Sequence, residues 1–437
     1  MNAPIIIGKA TLYRGDCLEV MRTMPDCSVD SIVTDPPYGI RFMGKAWDGA
    51  DIEKKTAARR NLESHCPGAG PNGGHKSVAA EAGKYELTPK AMRAFQEFSR
   101  AWAVEALRIL KPGGHLLSFS SARTYHRMVC GIEDAGFEIR DQIMWVFGSG
   151  FPKSHNLTDD WKGWGTALKP AHEPICMARK PLISTVAENV LQHGTGALNI
   201  DACRIELNGD YKCGANGRPS QTGLGDNYDS AVANQPSDVG RWPANLIHDG
   251  SEEVLACFPD SNGQQGAVTG DEPSSKTNAV YGDFNGRPAS QPRNDAGSAA
   301  RFYYCAKASR ADRNEGCEGM PEKIGGMVSN TSGQHITRRD GGAPGPRANH
   351  HPTVKPTELM QYLIRLVTQP GGTTLDCFMG SGSTGKAAIL EGFKFIGIEQ
   401  DEDENGNPLG YIDIATGRIE HAIKTLADNT AQQEMFA

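Results

Sequence analysis

Short apolar strands alternate with amphipathic helices at both ends of this chain, and a long glycine-rich stretch separates the two. That split rhythm constrains the fold more than any other feature. Near the start, Ala10 to Arg14 reads as a strand closed by Gly15-Asp16, and a helical pattern follows through Leu18, Val20 and Met21. Val29 to Thr34 is an apolar, partly β-branched run, halted by Asp35-Pro36-Pro37-Tyr38. A strand must stop there, because proline has no N–H for the ladder and fixes its own φ. From Pro89, apolar residues recur at helical spacing through Met92, Phe95, Phe98, Trp102, Ala106, Leu107 and Leu110. Lys111-Pro112-Gly113-Gly114 is expected to end that helix. His115 to Ser120 reads as a strand, Tyr125, Met128 and Ile132 as a helix ending near Gly136, and Phe137 to Phe147 as a strand pair. At the other end come a helix from Glu358 to Val367, a strand from Thr373 to Phe378, a helix from Gly385 to Leu390 and a strand from Phe393 to Ile398. An acidic loop from Asp401 to Leu409 precedes a final helix, Tyr411 to Leu426. Repeated βαβ units of this kind build a mostly parallel sheet covered by helices.

Two segments break the rhythm. Gly44 to Thr88 shows no sustained periodicity and is expected to be a long loop. From Phe151 to Gly345, Gly, Asn, Ser, Asp and Pro dominate and apolar runs are short, as at Glu173–Ala178, Arg241–Ile247 and Arg301–Cys305. Such a stretch is irregular or β-rich. A chain of 437 residues exceeds what one core usually organises. We therefore expect an N-terminal part over 1–150, an insert over 151–345 and a C-terminal part over 346–437.

Composition narrows the class only slightly. The 11 cysteines are scattered without a CxxC pair, so neither a zinc site nor a disulfide framework is expected, and reduced cytoplasmic thiols are. No apolar run approaches the roughly 20 residues a membrane helix needs, and no secretion signal is expected, since Met1-Asn2-Ala3-Pro4 shows no basic region followed by a long apolar core. The formal net charge of −7 does not advertise a nucleic-acid ligand, although a basic cleft can sit on an acidic protein.

Two motifs carry chemistry. The first is the turn Met379-Gly380-Ser381-Gly382-Ser383-Thr384-Gly385-Lys386, between the strand ending Leu375-Asp376-Cys377-Phe378 and a helix. Bare glycine backbone lets a ligand approach closely, and Glu399, closing the next strand, is placed to accept bonds from ribose hydroxyls. Three readings stay open for the turn alone: a nucleoside cofactor site, a phosphate loop and a plain turn. Gly380 to Lys386 matches the glycine and lysine spacing of a phosphate loop, but Ala387 removes the hydroxyl that would hold magnesium.

The second motif, Asp35-Pro36-Pro37-Tyr38, is more specific. An exocyclic amine is a poor nucleophile, because its lone pair is delocalised into the ring. A carboxylate and a carbonyl that accept its two protons draw the nitrogen toward sp3 geometry and expose that pair. Asp35 can supply the carboxylate and Pro36 the carbonyl, with Pro37 fixing its direction and Tyr38 offering a π face to a base. The plainer alternative is a strand-to-turn exit with a capping aspartate.

Together the motifs resemble the amino-methylating DNA methyltransferases in which the Asp-Pro-Pro-Tyr motif precedes the glycine motif. The likeness covers both ends of the chain: Gly15-Asp16-Cys17, Asp35 to Tyr38, His351-Pro352-Thr353-Val354-Lys355-Pro356, Asp376 to Gly382, and Phe395-Ile396-Gly397-Ile398-Glu399. Gly148 to Ser154 is similar in wording to phage or prophage members. The resemblance implies an α/β fold, a circularly permuted, mostly parallel, Rossmann-like methyltransferase sheet with an irregular target-recognition insert. It implies S-adenosyl-L-methionine as cofactor, double-stranded DNA as partner and adenine N6 as target, since aspartate opens the motif where cytosine-N4 enzymes more often carry serine. Transfer would be in line, onto a flipped base, without a covalent enzyme intermediate.

By the same resemblance, Asp35, Pro36, Pro37 and Tyr38 form the catalytic set. Phe378, Gly380 and Gly382 line the cofactor with Asp376 and Cys377 ahead of them, and Glu399 meets the ribose. Asp16 and Cys17 lie near the adenine ring, and Lys355, Pro356 and Thr357 border the methionine end. Cys377 stands where the family usually has proline, and the Asp401 to Leu409 insertion is a second departure. Arg179, Lys180, Arg241, Arg287, Arg293, Arg301, Lys307, Arg310, Arg338 and Arg339 are candidate DNA contacts. The Gly44 to Thr88 loop is expected to close over the target base. A restriction partner and a homodimer are assemblies open to such a chain. Competing functions are cytosine-N4 methylation, methylation of RNA or of a protein glutamine, and a phosphate-loop nucleotidase.

Overall fold

The structure, a computed structural model, describes residues 3–39, 87–150, 154, 156–206, 240–262, 277–278, 282–283, 296–307, 309–324, 346–402 and 407–436. Within these, the main-sheet strands in chain order are β1 (Ile5–Ile7), β2 (Ala10–Arg14), β3 (Val29–Thr34), β4 (Leu110–Phe119), β5 (Glu138–Val146), β6 (His172–Arg179), β7 (Leu246–His248), β8 (Tyr304–Cys305), β9 (Thr373–Asp376) and β10 (Lys394–Glu399). They form one sheet in the order β1-β2-β10-β9-β3-β4-β6-β5-β7-β8. The run β2-β10-β9-β3-β4 is parallel throughout, β1 is antiparallel to β2, and β6 is antiparallel to both β4 and β5. The sheet is therefore mixed and mostly parallel, as expected.

The helices that matter here are α1 (Cys17–Thr23), α2 (Pro89–Ile109), α3 (Tyr125–Asp134), α4 (Val186–His193), α5 (Arg310–Asn314), α6 (Thr357–Val367), α7 (Ser383–Leu390) and α8 (Tyr411–Phe436). No helix among the described residues is long and apolar enough to cross a membrane. α2 begins where its sequence dictates: the Thr88 hydroxyl accepts from Ala91 N–H, and Pro89 sits where a missing N–H costs nothing. Its buried stripe, Met92, Phe95, Trp102, Ala103 and Ala106, packs with α1 and α3 on one sheet face. α6, α7 and α8 build the core of the other face around Leu363, Ala388, Phe395 and Ile419. All six residues of β3 are buried, so its polar members Asp30, Ser31 and Thr34 must find partners inside the protein.

Polar staples fix the β3–β9 pairing at its start. The Asp30 carboxylate accepts from Lys111 Nζ at 2.6 Å, Gln369 Nε2 at 2.9 Å and Thr373 N–H at 2.7 Å, and the Ser31 and Thr368 hydroxyls lie 2.7 Å apart. With that register Leu375 faces Ile32, and both strands end side by side. The chain leaves β9 toward β10 on one side and β3 toward β4 on the other. A crevice at such a reversal, outside the carboxyl ends of parallel strands, is where open α/β sheets bind ligands.

α2 ends at Ile109, just before Lys111-Pro112-Gly113-Gly114, as expected; those four residues then lie inside β4, where a register shift against Val29 and Ser31 absorbs the proline and Gly113 takes φ +76°. One expectation needs correcting. Phe137 to Phe147 holds one strand, not a pair, because its partner β6 comes from later in the chain. Within 151–345, the three short apolar runs supply β6, β7 and β8 to the main sheet. The region from 40 to 86, and with it nearly all of the Gly44 to Thr88 loop, lies outside the described residues.

Candidate active site

The adjacent ends of β3 and β9 bring the two motifs together. Thr34, the last residue of β3, donates its hydroxyl to Asp376 Oδ1 at 2.7 Å, across from the last residue of β9. Asp376 also accepts from Phe378 N–H at 3.1 Å and from the Thr384 hydroxyl at 2.5 Å. Burial raises its carboxyl to about 6, against the pull of those hydrogen bonds. Its job is visible in its partners: it ties the start of the glycine turn to the start of α7 and to the strand that carries Asp35.

Beyond Asp376 the backbone needs glycine. Gly380 has φ +53° and Gly382 φ +75°, both left-handed. A Cβ on Gly380 would stand 2.7 Å from His351 Nε2, and one on Gly382 would stand 2.8 Å from Ala415 Cβ. Gly380 N–H donates to Glu399 Oε2 at 2.7 Å, so the acid closing β10 faces the turn. Burial lifts the Glu399 carboxyl to about 7, opposed by the N–H groups of Gly380 and Asp401. Gly15 N–H donates to the Glu399 carbonyl at 2.9 Å, which draws the Gly15-Asp16-Cys17 corner to the same rim. Asp16 there caps α1, accepting from Leu18 N–H at 2.9 Å, and Cys17 is buried beside it. Cys377, in the family's proline position, is buried against the Thr34 hydroxyl, so a thiol fills that place without disturbing the turn.

His351 walls the glycine turn from the opposite side. Burial, then the nearby cations Lys355, Arg313 and Arg418, push its imidazole down to about 3, so it is neutral at pH 7. Phe378 packs edge-on against Trp102, with ring centroids 5.9 Å apart.

A second cluster surrounds Asp35. The Tyr38 hydroxyl donates to Asp35 Oδ1 at 2.7 Å and lies 3.2 Å from Glu173 Oε2. Lys355 Nζ is ion-paired with Asp35 Oδ2, lies 3.4 Å from Glu173 Oε2 and sits 5.0 Å from the centre of the Phe119 ring. Burial alone would pull the Lys355 ammonium down, but the two carboxylates outweigh it and the net direction is up. Burial, Asp35 and Glu173 raise the Tyr38 hydroxyl well above its ordinary range, so it stays a donor. Lys355, expected at a cofactor's methionine end, thus reaches the Asp35 carboxylate. Pro356 and Thr357, both buried, start α6, and the Thr357 N–H and hydroxyl donate to Asp312 at 2.8 and 2.5 Å.

Sequence reasoning missed two groups here. Glu173 opens an apolar strand and reads as its flank; only the antiparallel placement of β6 delivers it to Asp35. Asp312 lies in a polar stretch with no motif, yet it accepts from Lys386 Nζ at 2.7 Å, while Glu315 takes the same ammonium at 2.7 Å. That pairing also answers the phosphate-loop alternative. Lys386 is buried in a protein ion cluster and does not reach toward a ligand on the turn. Behind it, Arg418 donates to the Ser381 carbonyl at 2.9 Å and the Ser383 hydroxyl at 3.0 Å, holding the turn from below.

Several candidate DNA contacts are engaged within the protein. Arg179 is buried and paired with Glu138 at 2.6 Å, and Lys180 Nζ donates to the Leu110 carbonyl at 2.7 Å. Arg301 Nη1 donates to the Ser298 carbonyl at 2.7 Å and, like Arg241, lies over the Phe302 ring. Lys307 is exposed. Arg287, Arg293, Arg338 and Arg339 lie outside the described residues, as does the side chain of Arg310. No group of three or more metal-binding side chains occurs among the described residues.

Comparison with known proteins meets this geometry from outside. The type II methyltransferase M.HindIII of Haemophilus influenzae is 27% identical over 208 residues, 43% of this chain and 64% of that protein. M.BglI of Bacillus subtilis is 52% identical over 59 residues, 13% of this chain and 17% of that protein. The chain therefore spans less than two thirds of the length of either curated relative. Among solved structures, the PvuII DNA methyltransferase (cytosine-N4-specific) aligns at 13% identity over 94% of this chain and 93% of its own, with a TM-score of 0.39. The M1.HpyAVI–SAM complex aligns at 15% identity over 94% and 99%, with a TM-score of 0.34. The model of the N6/N4 DNA methylases matches residues 29–405, from the first residue of β3 to beyond Glu399, and so takes in both motifs and the strands that join them. With most of its length and both motifs inside that match, the chain belongs to the N6/N4 DNA methylase family.

Proposed function

We propose that this chain transfers the methyl group of S-adenosylmethionine to the exocyclic amino group of a base in double-stranded DNA, adenine N6. The observation that carries this reading is the pairing of β3 with β9, which brings the segments that lead into Asp35 and into the glycine turn side by side.

The residues of that crevice fit the cofactor. Gly380 and Gly382 hold the turn in a left-handed path that a Cβ would block against His351 and Ala415, and the half-buried Glu399 carboxyl suits a ribose hydroxyl. Around Asp35 two carboxylates, Asp35 and Glu173, face the Lys355 ammonium, so that cluster carries negative charge suited to a sulfonium. When bound, S-adenosylmethionine supplies an electrophilic methyl on a sulfonium. Asp35 and the Pro36 carbonyl accept the amine protons and orient the nitrogen lone pair, a positioning effect. Tyr38 offers its ring to the base, which must leave the duplex at a cost of roughly a few kcal/mol. In this reading the parts of 151–345 outside the sheet carry target recognition, and the exposed Trp161 and Trp164, ring centroids 5.4 Å apart, are candidate surfaces for it.

Adenine is favoured over cytosine by the aspartate that opens the motif, through family association. The test is nucleoside mass analysis of DNA from a host that lacks its own methylases and expresses this chain. N6-methyladenine is the expected product. N4-methylcytosine would move the target to cytosine, and absence of both would refute amino methylation.

A further inference from the structure

We propose that Glu173 is the final acceptor of the proton shed by the target amine, reached from Asp35 through the Tyr38 hydroxyl. This rests on the amino-methylation reading above and extends it to a residue outside both motifs.

An amine nitrogen that gains a methyl becomes cationic and must lose a proton. Asp35 is the acceptor nearest to it by role, but its Oδ2 is paired with Lys355 and its Oδ1 already accepts from Tyr38 at 2.7 Å. A proton left on Asp35 would weaken its ion pair with Lys355. The Tyr38 oxygen also lies 3.2 Å from Glu173 Oε2, so it bridges the two carboxylates. As the amine N–H bond breaks, an O–H bond forms on Asp35. Tyr38 passes its own proton to Glu173 and takes the one from Asp35. Tyr38 ends as a phenol, Asp35 as a carboxylate and Glu173 as a carboxylic acid. One proton has moved, the amine has lost its positive charge, and no oxidant or reductant is needed.

The charge count supports the assignment. Two carboxylates face one ammonium before the step, and one faces one after it. The titratable and charged groups set against Glu173 are Lys355, Asp35 and Tyr38. Burial, with Asp35 and against Lys355, raises its carboxyl, which suits a group that must hold a proton. Glu173 acts through Tyr38 and is a positioning and relay residue rather than one that touches the base.

The test is single-turnover methyl transfer to DNA from labelled cofactor, measured against pH for the full chain and for Glu173→Gln, so that slow product release cannot mask the step. The expected result is a rate about 10–100-fold lower, the size of a lost acid–base contribution. Cofactor affinity should be unchanged, and the acidic limb of the wild-type profile should be absent. Glu173→Asp should recover part of the rate. Tyr38→Phe, which keeps the ring and cuts the bridge, should lose the same limb and guards against misfolding of the first variant. A Glu173→Gln or Tyr38→Phe protein with the wild-type pH profile would overturn the relay while leaving amino methylation standing. A wild-type protein that transfers no methyl would overturn both.

Discussion

Lys355, on the approach to α6, grips the carboxylate of Asp35, which lies 320 residues earlier in the chain. The contact closes the crevice between the two ends of the sequence. It orients Asp35 and balances part of its charge in a buried place. Removing Lys355 leaves Asp35 and Glu173 without their cation, and leaving a buried charge unpaired commonly costs about 3–5 kcal/mol.

Lys355→Met is therefore expected to impair the chemistry more than the binding. Without the ammonium, the two carboxylates repel each other and the Glu173 carboxyl rises further. The acidic limb of the transfer rate should move to higher pH, since activity needs the ionised form. A pH profile checks this; a limb at the wild-type position would separate Lys355 from the reaction.

Glu399 and Asp376 make the ligand-free protein sensitive to pH in a definite direction. Burial raises both carboxyls, to about 7 and about 6, above their ordinary values. Between the ordinary and the raised values the folded state holds more protons than the unfolded one, so stability falls as pH rises through that window. Melting temperature measured from pH 5 to 8 should show the decline, and Glu399→Gln should flatten it. If the cofactor's ribose bonds the Glu399 carboxylate as proposed, cofactor binding should stabilise the protein more at pH 8 than at pH 5.

The glycine turn gives a steric test. Gly380→Ala adds a Cβ 2.7 Å from His351 Nε2 at a left-handed φ. It should cost roughly 1–3 kcal/mol and weaken cofactor binding. Gly371→Ala, with φ +72° but no atom within 4 Å of the new Cβ, is the control. It should lower stability without touching cofactor affinity, and calorimetric titration of both variants decides between them.

Lys386 sits where a phosphate loop would place its catalytic lysine, yet Asp312 and Glu315 hold it. Lys386→Met should lower thermal stability, because it leaves those acids without their cation, and should spare methyl transfer by the protein that remains folded. Loss of an ATPase activity in this variant would instead restore the nucleotidase reading.

Much of this site was legible before any coordinates. Val29 to Thr34 carries its own strand signal and Asp35-Pro36-Pro37-Tyr38 its own stop, so both follow from local chemistry. The glycine turn is local too, and Gly380 and Gly382 adopt the positive φ that only glycine takes easily. What the sequence hides is long-range pairing. Glu173 reaches Asp35 because β6 runs antiparallel between β4 and β5, and no residue spacing announces that insertion. The same pairing explains why Glu173–Ala178 looked like part of an irregular insert. Lys111-Pro112-Gly113-Gly114 marks the helix end through its local signals, but nothing in them announces that the same residues lie within β4 beside β3.

The central claim is that Asp35 activates an amine beside a cofactor held on the glycine turn. Transfer of labelled methyl from S-adenosylmethionine to DNA by Asp35→Ala, with cofactor affinity measured on the same preparation, tests it most directly. The expected result is a transfer rate down at least about 100-fold, the scale of losing a positioned acid–base group, with cofactor still bound. Undiminished transfer by Asp35→Ala would contradict the claim.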